Sequence, residues 1–324
     1  MSDLNINVEK NRFAFKDLFT ISRGSRTHAE VITVTITSDG FSGKGECVPY
    51  LRYDETPESV QNDILSLPSS FNRKELQGLM KPGAARNAVD CALWDLEAKR
   101  IQKPVWQLAG LPLPAPKITA FTLSLNTPER MKAAAAENSH RPLLKIKLGT
   151  PDDIPRLEAV RSGAPKSNII VDANEGWTAE IYKELAPYLL QLGVSMIEQP
   201  LPAGHDELLS EIDRPIPVCA DESCHDRKSL PGLKGRYDMI NIKLDKTGGL
   251  TEALALQKDA IYAGFEIMVG CMVGSSLAMA PAVILAQNAS VVDLDGPLLL
   301  AEDRSVKLTY DERGVHPPTS ELWG

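Results

Sequence analysis

The chain has 324 residues, 43% of them hydrophobic and 24% charged, with a formal net charge of −8. That length and composition bury a full core and exclude a disordered chain, leaving room for two domains or for one barrel with an addition. The acidic balance, without a dense Lys/Arg block, excludes a nucleic-acid surface, and no uncharged apolar run approaches the ~18 residues of a membrane span. The opening MSDLNINVEKNRF has no apolar core of a secretory signal. Five widely spaced cysteines (Cys47, Cys91, Cys219, Cys224, Cys271) read as buried free thiols in a reducing compartment. A soluble cytoplasmic protein is expected.

In chain order, residues 31–37 (VITVTIT) alternate as a strand, Ser38-Asp39-Gly40 turns, and residues 42–47 return, which makes a hairpin. Helical segments follow. The clearest is 84–100, where Ala88, Cys91, Ala92 and Leu96 share a face. Gly110 and the Pro-rich 111–116 read as a linker. From Ile118 onward strands and helices alternate, with strands expected at 118–122, 143–148, 168–172, 194–198, 217–221, 239–243, 265–270 and 290–294. Eight such units predict an α/β closed parallel barrel rather than an open doubly wound sheet. The last helix is missing or displaced, and residues from about 301 are expected to fold back on the N-terminal part. The expected division is 1–112, an α+β capping domain; 113–300, the barrel; and 301–324, the returning segment.

Charged residues recur at the ends of these strands. From Lys147 to Asp172, Glu198, Asp221 and Lys243 the steps are 25, 26, 23 and 22 residues, about one barrel unit each. In a parallel barrel all strand C-termini face one mouth. A single carboxylate there is as well read as a cap. Three in succession, Asp172, Glu198 and Asp221, repel one another unless a cation lies between them, and an all-oxygen set suits Mg²⁺. Asn174 and Glu222 lie just beyond and are expected to support the ligands, with pairing of Glu222 to a lumenal lysine as the alternative.

Lys145 and Lys147 are two apart, so both leave the same strand face, which in a barrel is the lumen. Lys147, nearer the mouth, is the expected general base, its pKa lowered by a like charge and a nearby metal. Lys145 is expected to tune it or to bind a substrate carboxylate oxygen. Lys243, on the sixth strand, stands opposite the second. A base on each side of a substrate suits racemisation or epimerisation. Lys246 reads as structural. Asp293 and Asp295 in VVDLDGP share a face and are candidates for a substrate ammonium, with a turn before Gly296-Pro297 as the alternative. The five histidines show no ligand spacing, and no phosphate-cradling glycine loop or G-x-S-x-G elbow is present.

Together, Lys145-Ile146-Lys147, the triad Asp172, Glu198 and Asp221, and Lys243 before Gly248-Gly249 resemble the enolase superfamily, muconate-lactonizing subgroup. Within it the chain is most similar to L-Ala-D/L-Glu dipeptide epimerases of the enterobacterial type, through RGSR (23–26), GAARNAVDCALWDLEA (83–98), VDANE, EQPLPA, CADESCH, NIKLDKTGGLTEALAL, GCM and DLDGP. The resemblance implies a (β/α)7β modified TIM barrel with an α+β N-terminal capping domain, and one Mg²⁺ per subunit with Mn²⁺ as an allowed substitute. It implies two-lysine transfer of the Glu α-proton through a metal-stabilised enediolate, a pattern already general for sites of this superfamily. It further implies that Asp293 and Asp295 hold the dipeptide ammonium and that Arg26, or Arg23 after it, meets the glutamate side-chain carboxylate. The implied partner is a small dipeptide, L-Ala-L-Glu or L-Ala-D-Glu, in cell-wall peptide recycling; no nucleic acid or membrane is expected, and a homo-oligomer is compatible. A cycloisomerase or o-succinylbenzoate synthase of the same subgroup is the alternative. A non-catalytic ligand-binding barrel is the remote one.

Overall fold

The computed structural model describes residues 3–150 and 153–324; Met1 and Ser2 of the expected capping region lie outside the described residues. Three antiparallel strands come first, β1 (Asn5–Ile21), β2 (Gly24–Ser38) and β3 (Phe41–Cys47), in that spatial order. The expected hairpin is the β2–β3 pair, which runs from Ile32 opposite Cys47 to Ser38 opposite Phe41. Asp39 and Gly40 turn it with φ of 51° and 79°, as Asp-Gly does in a tight hairpin. β1 carries no clear strand signal in the sequence. Glu9-Lys10 and Asn11-Arg12 interrupt its apolar alternation, its residues are exposed or half-buried, and its register to β2 shifts between Ala14 and Phe19. Ladder hydrogen bonds to β2 hold it, with Ile6, Val8, Phe13 and Phe15 half-buried against the core.

Helices α1 (Pro57–Leu65) and α2 (Arg73–Leu79) start at capping boxes, Thr56 with Ser59 and Asn72 with Glu75. α3 (Ala84–Ile101) covers the expected 84–100 and is buried on almost every side. Its apolar residues Ala88, Val89, Leu93 and Leu96 pack with Ile32, Val34 and Cys47 of the sheet. Its remaining polar face meets the next unit, which is why its hydrophobic periodicity is diluted.

That unit is an eight-stranded parallel sheet: β4 (Phe121–Leu123), β5 (Leu143–Lys147), β6 (Asn168–Asp172), β7 (Val194–Glu198), β8 (Val218–Ala220), β9 (Met239–Ile242), β10 (Glu266–Gly270) and β11 (Val291–Asp293), each paired to the next. The Ala120 N–H donates to the Val292 carbonyl at 2.8 Å and closes the barrel. The first strand is shorter and later than the expected 118–122, because Ile118 is exposed and Thr119 is spent on Leu294 N. After β7 only a single 3₁₀ turn stands, Glu207–Ser210, and after β11 only Gly296–Leu299. The fold is thus a closed parallel barrel, its last helix cut to one turn, capped by an antiparallel α+β unit.

Strand periodicity builds the lumen in layers. Ile170, Met196, Cys219, Met239 and Met268 form an apolar floor with Ala120. Two residues further along the same strands stand Asp172, Glu198, Asp221, Asn241 and Gly270. Charge therefore concentrates at the C-terminal end of the barrel, beneath the cap. Beyond residue 301, Arg304 pairs with Glu46 and donates to Thr33 Oγ1 at 2.6 Å. Trp323 Nε1 donates to the Cys91 carbonyl at 3.0 Å. No helix among the described residues is long and apolar enough to cross a membrane, and the five cysteines are free thiols, four of them fully buried.

Candidate active site

The lysines and carboxylates named from the sequence meet at the barrel mouth. β5 and β6 pair Lys147 with Asp172, and β6 and β7 pair Asp172 with Glu198, so the register alone brings three of them side by side. Lys147 Nζ lies 2.6 Å from Asp172 Oδ2. Lys145 Nζ sits among three carboxylates, 2.6 Å from Glu198 Oε2, 2.7 Å from Asp293 Oδ2 and 3.1 Å from Asp172 Oδ2. Across the lumen, Lys243 Nζ is 2.6 Å from Asp221 Oδ2 and Lys246 Nζ 2.6 Å from Asp221 Oδ1. Lys246 also donates to the Asp221 and Asn241 carbonyls, so it acts on the site through Asp221.

These charges set one another's protonation. Burial alone would lower the pKa of Lys145, but Asp293, Glu198 and Asp172 outweigh it and hold the ammonium well above the usual lysine range. Lys145 is thus a paired ammonium enclosed by three carboxylates. Lys243 is likewise raised, burial being outweighed by Asp221 and Glu198. Burial opposes the ionised forms of Asp172 and Asp221, yet their lysine neighbours keep both below the usual carboxylate range. Glu198 goes the other way, pushed up to about 7 by burial and then by Asp172. Lys145 approaches Glu198 Oε2 as an ion pair without hydrogen-bond geometry, and no donor satisfies that oxygen.

Asn241 completes the lumen, its Nδ2 donating to Glu198 Oε1 at 2.7 Å. It lies two residues before Lys243 on one strand, so the period-2 rule that found Lys145 beside Lys147 points to it as well. A Cβ on Gly270 would come within 2.7 Å of Asn241 Oδ1, so the next strand must carry glycine there.

A cavity of about 420 Å³ opens above this layer, between the barrel mouth and the cap. From the barrel it is walled by Lys147, Asn174, Asp221, Glu222 and Lys243. The cap contributes Phe19, Ile21, Arg23, Arg26, Tyr50 and Tyr53, and the loop after β10 adds Cys271, Met272 and Val273. Lys147 and Lys243 reach the cavity; Lys145, 1% exposed, does not line it. Neither do Asp293 and Asp295. Asp293 is turned to Lys145, and Asp295 Oδ2 accepts the Thr122 N–H at 2.6 Å. Burial, then repulsion from Asp293, raises Asp295 to about 7.

Arg23, in the β1–β2 turn, and Arg26, at the start of β2, differ. Arg23 donates to Glu222 Oε1 at 2.8 Å, Glu175 Oε2 at 3.0 Å, the Asn174 carbonyl at 2.8 Å and Tyr50 Oη at 3.2 Å. It latches the cap to the loops after β6 and β8. This also answers for Glu222, which pairs with an arginine of the cap rather than a lumenal lysine. Arg26 stacks on the Tyr50 ring at 4.9 Å, and no carboxylate among the described residues lies within ion-pair distance of it. Glu175 and Met272 stand within VDANE and GCM without a spacing that assigns them a role, and Tyr50 and the apolar Phe19 and Ile21 carry no motif; only the fold brings them to the mouth.

An all-oxygen set on three consecutive strands has the donor chemistry of a hard divalent cation, and Glu198 Oε2, buried without a donor, fits that role. In this arrangement the carboxylates are drawn to lysine ammoniums, and no cluster of three Asp, Glu, His or Cys among the described residues converges on one point.

Residues 5–110 match the mandelate racemase / muconate lactonizing enzyme N-terminal domain, and residues 128–314 the enolase C-terminal domain-like family. The chain is 47% identical to the L-Ala-D/L-Glu epimerase of Escherichia coli, over 92% of this chain and 95% of that one. It is 49% identical to an N-acetyl-D-glutamate racemase of Pseudoalteromonas, over 91% and 95%. A solved enolase family member from Agrobacterium tumefaciens, with homology to dipeptide epimerases and bound sodium and L-Ala-L-Glu, is 55% identical with a TM-score of 0.97, over 99% of this chain and 100% of that one. A dipeptide epimerase from Cytophaga hutchinsonii, solved with Mg and D-Ala-L-Val, is 26% identical with a TM-score of 0.92, over 98% and 94%.

Proposed function

Since this chain belongs to the mandelate racemase / muconate lactonizing enzyme family of the enolase superfamily and is an isomerase of the epimerase type, we propose that it inverts the glutamate α-carbon of L-Ala-L-Glu and L-Ala-D-Glu. The observation that carries this reading is the pair of lysines, Lys147 and Lys243, four strands apart in a closed eight-stranded barrel and both facing one cavity. Binding alone needs no base on each face. One lysine, neutral, takes the α-proton; the other, as ammonium, returns a proton to the opposite face. The carboxylates beside Lys243 favour its ammonium, so it enters the cycle readily as the acid. General acid–base placement of this kind contributes typically ~10²–10⁴-fold.

Asp172, Glu198 and Asp221 would hold Mg²⁺, which when bound would supply Lewis acidity at the substrate carboxylate. Lys145 neutralises Asp293, Glu198 and Asp172 from below and keeps them in place. Arg26 receives the glutamate side-chain carboxylate, while Arg23 keeps the cap closed over it. The Phe19, Ile21 and Met272 wall excludes water from the reacting carbon. Dipeptides of this kind arise in cell-wall turnover, and we place the enzyme in their recycling in the cytoplasm.

A second reading is racemisation of N-acylglutamate. It is favoured by Asp293 and Asp295, which are engaged by Lys145 and Thr122 and do not face the cavity as an ammonium site would. Proton NMR in D₂O with Mg²⁺, on L-Ala-L-Glu and on N-acetyl-L-glutamate separately, decides between them. Loss of the Glu α-proton signal with L-Ala-D-Glu appearing supports the dipeptide reading. Turnover of N-acetylglutamate alone supports the second, and exchange of neither overturns both. Asp295→Asn sharpens the choice: it should weaken free-amine dipeptides by about tenfold or more and spare N-acetylated ones if Asp295 serves the ammonium, since a hydrogen bond to a charged group is worth about 1.5–3 kcal/mol.

A further inference from the structure

We propose that helix α3 of the cap is a positioning device for one of the two lysines, Lys243, and not for the other; this rests on the two-lysine reading above. One polar face of α3, at positions 86, 87, 90 and 94, bonds within the eight residues that begin just after that lysine, 244–251. Arg86 Nη2 donates to the Thr247 carbonyl at 2.7 Å and its Nε to the Gly248 carbonyl at 3.0 Å. Asn87 Nδ2 donates to Asp245 Oδ1 at 2.9 Å, and the same oxygen accepts the Val48 N–H of the cap at 3.0 Å. Asp90 Oδ2 accepts the Thr251 N–H at 2.9 Å, and Trp94 Nε1 donates to Thr251 Oγ1 at 3.0 Å.

The turn and the helix touch without a gap. A Cβ on Gly248 would lie 2.6 Å from Arg86 Nε, and one on Gly249 2.4 Å from Asp90 Cβ. Both glycines have positive φ, 73° and 109°, so this backbone path and this closeness each require them. Lys243 is where the path starts. It is the N-cap residue of Leu244–Thr247, and its carbonyl accepts the N–H groups of Lys246 and Thr247 at 3.0 Å. A shift of the turn therefore moves the root of the lysine side chain.

Lys147 is held differently. Its ammonium rests on Asp172, Leu148 N–H donates to the Asp172 carbonyl at 3.0 Å, and Gly149 N–H to Asp153 Oδ2 at 2.7 Å, all within the barrel. Among the described residues no hydrogen bond joins α3 to that strand or its turn. Helix α3 thus grips one base through its backbone and not the other, whose turn meets the cap at Ser22 beside Gly149. Loosening α3 misplaces Lys243 while Lys147 keeps its station, and a misplacement of about 1 Å costs as much as ~10²-fold in rate.

The test uses the full chain with Mg²⁺ in D₂O, following α-proton exchange separately from L-Ala-L-Glu and L-Ala-D-Glu. Asn87→Ala and Asp245→Ala each remove a strut. Each is expected to slow exchange from one diastereomer by about tenfold or more relative to the other, the same one in both variants. Asp245→Asn keeps the accepting oxygen and should restore the wild-type ratio. Equal loss from both diastereomers, as general destabilisation would give, or an unchanged ratio overturns the proposal. Hydrogen-exchange mass spectrometry without substrate supplies a readout independent of the reaction: amides of 244–251 should exchange faster in Asn87→Ala and those of 143–150 should not. If the wild-type protein exchanges neither dipeptide, the proposed function falls. The amide result alone then decides whether α3 holds the turn, and unchanged protection at 244–251 overturns that too.

Discussion

Lysines at a barrel mouth are informative because each must be matched by charge or by function. Lys145 and Lys147 differ by two positions, yet one is sealed among Glu198, Asp293 and Asp172 while the other opens on the cavity. Their spacing shows the shared face but not the depth. We expect Lys147→Ala and Lys243→Ala each to abolish epimerisation in both directions while retaining exchange of the α-proton from one diastereomer only, a different one in each, as read by NMR. Normal epimerisation by either variant would sink the two-base scheme. The arginines teach the same lesson. RGSR names two candidates, and only the folded loop separates Arg23, spent on Glu222 and Glu175, from Arg26 on the Tyr50 ring.

Among the elements, α3 packs apolar residues on the sheet and polar ones on the turn after β9. Asp245 is the buried hinge of that contact. Burial pushes its carboxyl from 3.8 up to about 7, against the lowering by Val48 N–H and Asn87. A folded pKa above the unfolded one means that the fold prefers the protonated acid. The stability it confers is complete below about pH 4 and is lost as pH rises through about 7. Measured by chemical denaturation across that window, the wild-type protein should lose on the order of a few kcal/mol relative to Asp245→Asn, which cannot ionise. Parallel pH profiles for the two proteins would show that Asp245 does not titrate in the contact.

For the whole molecule, the segment after residue 301 ties cap and barrel together. Arg304 reaches Glu46, Thr33 and Ser275, while Trp323, 1% exposed, donates to the Cys91 carbonyl on α3. Trp323→Ala should cost about 3–5 kcal/mol by denaturant unfolding, since removing a buried indole leaves a cavity and deletes its hydrogen bond to Cys91. A cost below about 1 kcal/mol would mean that the returning segment rests on the cap without holding it. The cavity lies between the two units, so this joint also sets how closely Arg26 and Tyr50 approach the lysines.

All eight barrel strands are legible in the sequence, the first displaced toward Leu123, because each is a short apolar run and most end in a recurrent charge or turn. The repeat of about 25 residues implies the closed barrel and the ring of charge before any contact is seen. β1 is not legible, because charged and polar residues at 9–12 break its apolar alternation, and neither is the wall of Phe19 and Ile21, which no motif marks. Local chemistry determined which residue types stand at the strand ends, since period-2 alternation and turn residues act within a few positions. Tertiary structure decided which lysines reach the cavity, which arginine is latched, and that Asp293 and Asp295 turn to Lys145 and Thr122. Those outcomes depend on desolvation and on charges brought together from strands up to 173 residues apart, and no local pattern encodes a balance struck at that distance.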